Sequence, residues 1–267
     1  MNSLVDPIAL ARNRARATDM FLQSLAADEL QDRLGMVNKE FSAPAIVTPF
    51  PNVWSDRIPN ATVVPAQDVL TLEPSTHDLV IHSLDLHWAN DPVGQLIQCK
   101  RALRPDGLLL VAALGGQTLS ELRTSLAEAE TRVTSGLSAR VAPMAEIRDL
   151  GALLQRAGLA LPVADSVVQN VEYKDLTGIM QDLRRMGETN ALSARLRVPT
   201  KQAVFDTAAQ IYAQHFSTQS GKVCATYEFV ILTGWAPDDS QPQPLRPGSA
   251  TQRLADALGA QEKKIRN

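Results

Sequence analysis

The chain has 267 residues, 45% of them hydrophobic and 21% charged, which suits one large soluble domain, or one core domain with a smaller attachment, with ample apolar material for a core. A formal net charge of -3, with no basic run interleaved with aromatics, excludes a global positive field for holding nucleic acid. No stretch approaches the ~20 apolar residues that span a bilayer, which argues against direct membrane insertion.

In chain order, Pro7 to about Val37 reads as helical, with Leu22, Leu25, Ala26, Leu30 and Leu34 recurring at three- and four-residue steps. Arg12, Arg14 and Arg16 have a slight presequence character, but Asp6, Asp19, Asp28 and Glu29 surround them, so a cytoplasmic protein is expected. The run from Phe41 to Asp78 holds six prolines and no glycine, with short strands at Ala45-Ile46-Val47 and Thr62-Val63-Val64. Asp78 to Ser83 suits a buried parallel strand. Pro92 to Leu103 reads as a helix, Arg104-Pro105-Asp106-Gly107 as a turn, and Leu108 to Leu114 as a second buried strand closed by Gly115-Gly116. Helices follow at Leu119 to about Val133 and Glu146 to Ala157. A strand at Val163 to Tyr173, helices at Leu176 to Met186 and Thr200 to Phe216, and a long strand at Val223 to Trp235 complete the pattern. The alternation predicts a mainly parallel sheet with an antiparallel strand at its end. Three segments result: a helical 1–40, an α/β domain over 41–236 with a helical insertion at about 119–154, and a proline-rich tail over 237–267. Cys99 and Cys224 fit no zinc spacing and read as reduced thiols.

Several motifs carry a resemblance. They are His77-Asp78-Leu79-Val80, Ser83-Leu84-Asp85-Leu86-His87-Trp88, Arg104-Pro105-Asp106-Gly107, Gly115-Gly116-Gln117-Thr118-Leu119-Ser120-Glu121-Leu122-Arg123 and Met186-Gly187-Glu188-Thr189-Asn190. Ala225-Thr226-Tyr227, Gly234-Trp235 and Arg246-Pro247-Gly248-Ser249-Ala250-Thr251 continue the series. With these residues the chain resembles the S-adenosylmethionine (SAM) methyltransferase-like assembly factors of respiratory complex I, and more distantly the methyltransferase of early biotin synthesis. The resemblance implies a class I methyltransferase-like, Rossmann-like three-layer sandwich. It also implies a protein partner in the peripheral arm of complex I (NADH:quinone oxidoreductase), and peripheral attachment to the inner membrane through that partner. Members of the family are reported to hydroxylate an arginine on a complex I subunit or otherwise to aid assembly.

The cofactor half departs from the pattern. A SAM site needs a glycine turn after the first strand, where only glycine permits the close backbone approach, and an acid at the end of the second strand for the ribose hydroxyls. Here Ala45-Ile46-Val47 runs into Thr48-Pro49-Phe50-Pro51, and two prolines stand where glycines are needed. A βαβ unit takes roughly 30 residues, so the stretch from Phe41 to Asp78 holds about one where two are needed. The expected fold is therefore truncated in its first βα units, and the expected cofactor is none, with SAM as the alternative. Asp56 is a weak ribose candidate. Gln67 and Asp68 match the place where the family contacts adenine; the plainer reading of Asp68 is a turn cap.

No residue stands out as a confident catalyst. The resemblance sets His87 and Trp88 beside the cofactor cleft, and His87, Glu121 and Arg123 are the catalytic candidates. Glu121 reads equally well as a first-turn helix residue. Glu188 and Asn190 could clamp a guanidinium, or form an ordinary loop after a helix. His82, Asp85 and His87 lie close in sequence, but strand alternation puts His82 opposite the other two, so no metal is expected. Arg184-Arg185 reads as solvated face, and Tyr227 and Trp235 as core. The binding reading is an accessory protein of complex I without SAM catalysis; the enzyme reading is an active SAM-dependent methyltransferase or arginine hydroxylase.

Overall fold

A computed structural model describes residues 3–242 and Gly259. The proline-rich tail beyond 242, including Gly248-Ser249-Ala250-Thr251, lies outside the described residues. Residues 1–237 and 238–267 form separate units.

The apolar runs pair as one sheet of six strands: β1 (Pro44–Val47), β2 (Thr62–Val64), β3 (His77–Ser83), β4 (Leu103–Leu114), β5 (Ala160–Tyr173) and β6 (Val223–Trp235). Their order is β2-β1-β3-β4-β6-β5. β1, β2, β3 and β4 are parallel, while β6 runs antiparallel to both β4 and β5. The turn expected at Arg104 to Gly107 is instead part of β4, where it forms a bulge: the register shifts from His77↔Leu103 to Leu79↔Leu108, and Asp106 takes φ 57°.

Helices cover both faces, because strands buried on both sides must be packed from both sides. α2 (Phe21–Gly35), α4 (Ser120–Thr134), α6 (Leu176–Arg185) and α7 (Gln202–His215) pack on one face, with Leu30, Leu126, Ile179 and Tyr212 against Ile81, Leu110 and Phe229. α3 (Pro92–Ala102) and α5 (Ile147–Arg156) cover the other, with Leu96, Cys99 and Leu154 against Val80, Val111 and Leu232. This is the class I methyltransferase-like sandwich with its opening shortened. β1 reaches β2 through a single 3-10 turn, Pro51–Trp54, and no helix lies between β2 and β3.

A second sequence expectation changes. The helical run from Pro7 to Val37 is two helices, α1 (Pro7–Arg14) and α2, separated by residues 15–20. Pro7 starts α1 behind the cap Asp6, whose carboxylate accepts from the Ile8 and Ala9 amides. The break follows from Thr18 and Asp19. Their amides donate to the Arg185 carbonyl at 2.7 and 3.1 Å, and the Asp19 carboxylate accepts from the Phe21 amide at 3.0 Å. Such local side-chain bonds compete with a continuing helix. Cys99 and Cys224 are both free thiols, and burial pushes Cys99 up to about 12.

Candidate functional site

Open α/β sheets place ligands beyond the carboxyl ends of their strands, where the strand order reverses. Here the chain leaves β1 toward β2 and returns on the other side of β1 as β3. The crevice between the ends of β1 and β3 is therefore the expected seat. A buried tryptophan reaches across it. Trp54 is 1% exposed, and its indole donates to Ser83 Oγ at 3.1 Å, tying the turn after β1 to the end of β3. The backbone that would face a methionine moiety carries Pro49 and Pro51 instead of glycines, so those positions offer no amide donor. β2 ends in Val64-Pro65 without an acid, and Asp56 is exposed in the turn after Trp54. The residues present do not reproduce the ordinary SAM contacts at the crevice.

Beside it, a cleft of about 440 Å³ lies under α1, lined by Gln67, Asp68, Asp85, Trp88, Asn90 and Gln95 among others. α3 holds its floor. Gln95 Nε2 donates to the Gln67 carbonyl at 3.2 Å, and Gln98 Nε2 donates to the Asp68 carbonyl at 2.9 Å. Gln95 Oε1 lies 2.7 Å from His82 Nε2, which fixes the His82 proton on Nε2. Burial pushes His82 down to about 4, so it is neutral here.

The far wall of the cleft is a buried polar cluster. Arg14, at the end of α1, pairs with Asp85, the two side chains being 12% and 5% exposed. Trp88 Nε1 donates to Glu188 Oε2 at 2.6 Å, and His87 Nε2 stands 3.6 Å from the same oxygen. Burial would raise the Glu188 pKa, but His87, Arg14 and Trp88 together outweigh it and hold the carboxyl below its ordinary range. Glu188 is therefore a carboxylate. Among the described residues, its Oε1 and both ring nitrogens of His87 have no hydrogen-bond partner.

Gly187 explains how Glu188 reaches this place. It follows α6 at φ +77°, and a Cβ there would come within 3.2 Å of the Arg14 Cα, so only glycine lets α1 close against α6. The N-terminal segment is then stitched to 189–193: Asn13 Nδ2 donates to the Thr189 carbonyl at 3.0 Å, and the Asp6 amide to the Ala191 carbonyl at 2.8 Å.

Of the sequence candidates, the structure thus brings together Gln67, Asp68 and Trp88 around one cleft, with His87 and Glu188 behind it. It sets the others apart. Glu121 bonds the Thr226 hydroxyl and amide, tying α4 to β6. Arg123 donates to the Thr118 carbonyl at 3.3 Å. Asn190 donates to the Ala139 carbonyl at 2.7 Å and accepts from the Leu192 amide, so both ends of its amide are used in the loop. Gly115-Gly116 wraps the buried Glu228: a Cβ at Gly115 would meet its Oε2 at 2.6 Å. Tyr227 is fully buried, whereas Trp235 is half-buried with Lys39 Nζ 5.4 Å from its ring centroid. Among the described residues no group of three His, Cys, Asp or Glu could hold a metal ion.

Sequence reading missed a second region. An apolar cavity of about 290 Å³ sits over the end of β4, walled by Leu114, Leu122, Leu126, Met180, Phe205 and Tyr227. It shares Arg140, Arg184, Thr189 and Asn190 with a polar pocket of about 420 Å³. That pocket gathers Arg12, Arg16, Arg140, Arg184 and Arg195 and no acid. No spacing signal links arginines that lie up to 183 positions apart.

No protein-family model matches the chain. It is 37% identical over 199 residues to a protein named arginine-hydroxylase NDUFAF5, mitochondrial, of Danio rerio, covering 74% of this chain and 62% of that one. The human protein of the same name is 36% identical over 215 residues, 80% of this chain and 62% of that one. A malonyl-[acyl-carrier protein] O-methyltransferase of a Methylovorus strain is 33% identical over 169 residues, 63% of this chain and 54% of that one. The matches thus span less than two thirds of each relative.

Proposed function

We propose that this chain, a relative of the NDUFAF5 arginine hydroxylases and of the malonyl-[acyl-carrier protein] O-methyltransferases, is a methyltransferase-like accessory or assembly protein that binds respiratory complex I or its precursor without SAM catalysis. The observation that carries the reading is Trp54, whose indole reaches across the crevice between β1 and β3 and hydrogen-bonds Ser83. The motifs nearest this relationship serve packing instead. Trp88 and Glu188 bond each other under α1, and Glu121 binds Thr226. A peripheral-arm subunit is the partner in this reading, and any attachment to a membrane runs through it. No helix among the described residues is long and apolar enough to cross a bilayer. Affinity purification of the tagged protein from its own cells is expected to recover complex I subunits; a preparation free of them overturns the proposal.

One observation favours a second reading, an active SAM-dependent methyltransferase or arginine hydroxylase. The cleft beside Gln67 and Asp68, at about 440 Å³, is of ligand size. In that case Asp68 would reach the adenine end of the cofactor. Mass spectrometry of candidate substrates incubated with SAM and the protein separates the two readings.

A further inference from the structure

The cavity over β4 and the arginine pocket adjoin, sharing Arg140, Arg184, Thr189 and Asn190. The cavity over β4 is mainly apolar: Leu122, Leu126, Met180 and Phe205 bring α4, α6 and α7 around it, and Glu188 with Trp88 forms its polar corner. The arginine pocket is cationic. Arg140 is bound to Glu130, which that contact holds down to about 2, and Arg195 is bound to Asp6. Among the described residues, Arg12, Arg16 and Arg184 pair with no acid; Arg12 lies in the last turn of α1 and Arg16 in the turn just beyond it. Three uncompensated guanidinium groups converging on one pocket repel one another, and an anion between them relieves that repulsion. The rim is apolar as well. Leu196 lines the arginine pocket at 43% exposure, and Leu137 and Val198 continue from it at 72% and 64%.

We infer that these adjoining pockets bind a single-chain anionic amphiphile, its headgroup between Arg12, Arg16 and Arg184 and its hydrocarbon chain in the cavity over β4. An apolar chain in the cavity gains the transfer free energy of its buried methylenes, while the headgroup gains charge-assisted hydrogen bonds in the planar fork geometry of arginine. An acidic peptide would satisfy the arginines but leave the cavity walls without a partner. The inference is independent of complex I binding and of SAM.

The test is calorimetric titration of the full chain, below micelle-forming concentrations, with four probes that each carry a ten-carbon chain: decanoate, decyl phosphate, decanol and decyltrimethylammonium. Saturable one-to-one binding of the two anions, weakened by added salt, with far weaker binding of decanol and none of the cation, is the expected result. Their relative affinities tell a carboxylate from a phosphate headgroup. The double substitution Arg16→Ala with Arg184→Ala, both exposed residues, is expected to weaken the anions about tenfold without changing the thermal midpoint. Met180→Trp, which fills the cavity, is expected to abolish the advantage of decanoate over acetate. Equal binding of all four probes, no binding of any, anion binding indifferent to these substitutions, or tighter binding of an acidic peptide than of decanoate overturns the inference.

Discussion

Removing the Arg14 guanidinium by Arg14→Ala leaves Asp85, 5% exposed, without its cation and strips Glu188 of a positive neighbour. A buried pair broken from one side typically costs about 3–5 kcal/mol, because the surviving charge stays desolvated. Part of that cost is recovered if α1 swings away and lets water reach Asp85. The opposing term is the burial of Arg14 itself, which lowers its own pKa by desolvation. A value near 3 kcal/mol is therefore expected. Urea unfolding reads it directly, since a domain with stability of about 5–15 kcal/mol survives such a loss and remains folded in water. Asp85→Asn alone should cost a comparable amount. Arg14→Met with Asp85→Leu should recover most of it, because a well-packed apolar pair replaces an ion pair at little net cost. If Arg14→Ala moves stability by less than about 1 kcal/mol, the pair is solvated in solution and the clamp of α1 over the cleft is refuted.

Stability should also fall in mild acid through His82. Folded, it titrates at about 4; unfolded, at about 6.5. Between those values the unfolded chain holds more protons, so stability rises with pH there and is lost as pH drops from 6.5 to 4, by up to about 3 kcal/mol. Glu188, held below its ordinary range, adds loss in the same direction at the acid end of the window. Unfolding midpoints measured from pH 7 to 4 check this, and His82→Gln should flatten the upper part of the curve. Gly187→Ala should destabilise by about 1–3 kcal/mol, because the residue sits at φ +77° and its new Cβ would press on the Arg14 backbone. Differential scanning calorimetry reads that loss, and an unchanged midpoint would show that α1 does not rest on α6.

The sheet was legible because its strands are buried apolar runs bounded by prolines and glycines; Val223 to Trp235 forms β6 over its whole length. The two-helix break at 15–20 was not legible, because it depends on Thr18 and Asp19 reaching the Arg185 carbonyl, a contact across the fold. The prolines at 49 and 51 announced the loss of the glycine turn. That Trp54 would reach across the crevice is a fact of packing, since nothing local distinguishes such a tryptophan from a core one. Glu188 was readable as a carboxylate after a helix, but its company of Trp88, His87 and Arg14 arises from three separate elements. Glu121 was evenly balanced between site and helix terminus; the structure puts its carboxylate on Thr226.

Titration of the purified chain with SAM by calorimetry bears most directly on the binding reading. With Trp54 bonded to Ser83 across the crevice, prolines in place of the glycine turn and no acid at the end of β2, no saturable heat and no thermal stabilisation are expected. Binding at micromolar strength, about 8 kcal/mol, would mean that the cleft beside Asp68 holds the cofactor after all, and would contradict a function without SAM catalysis.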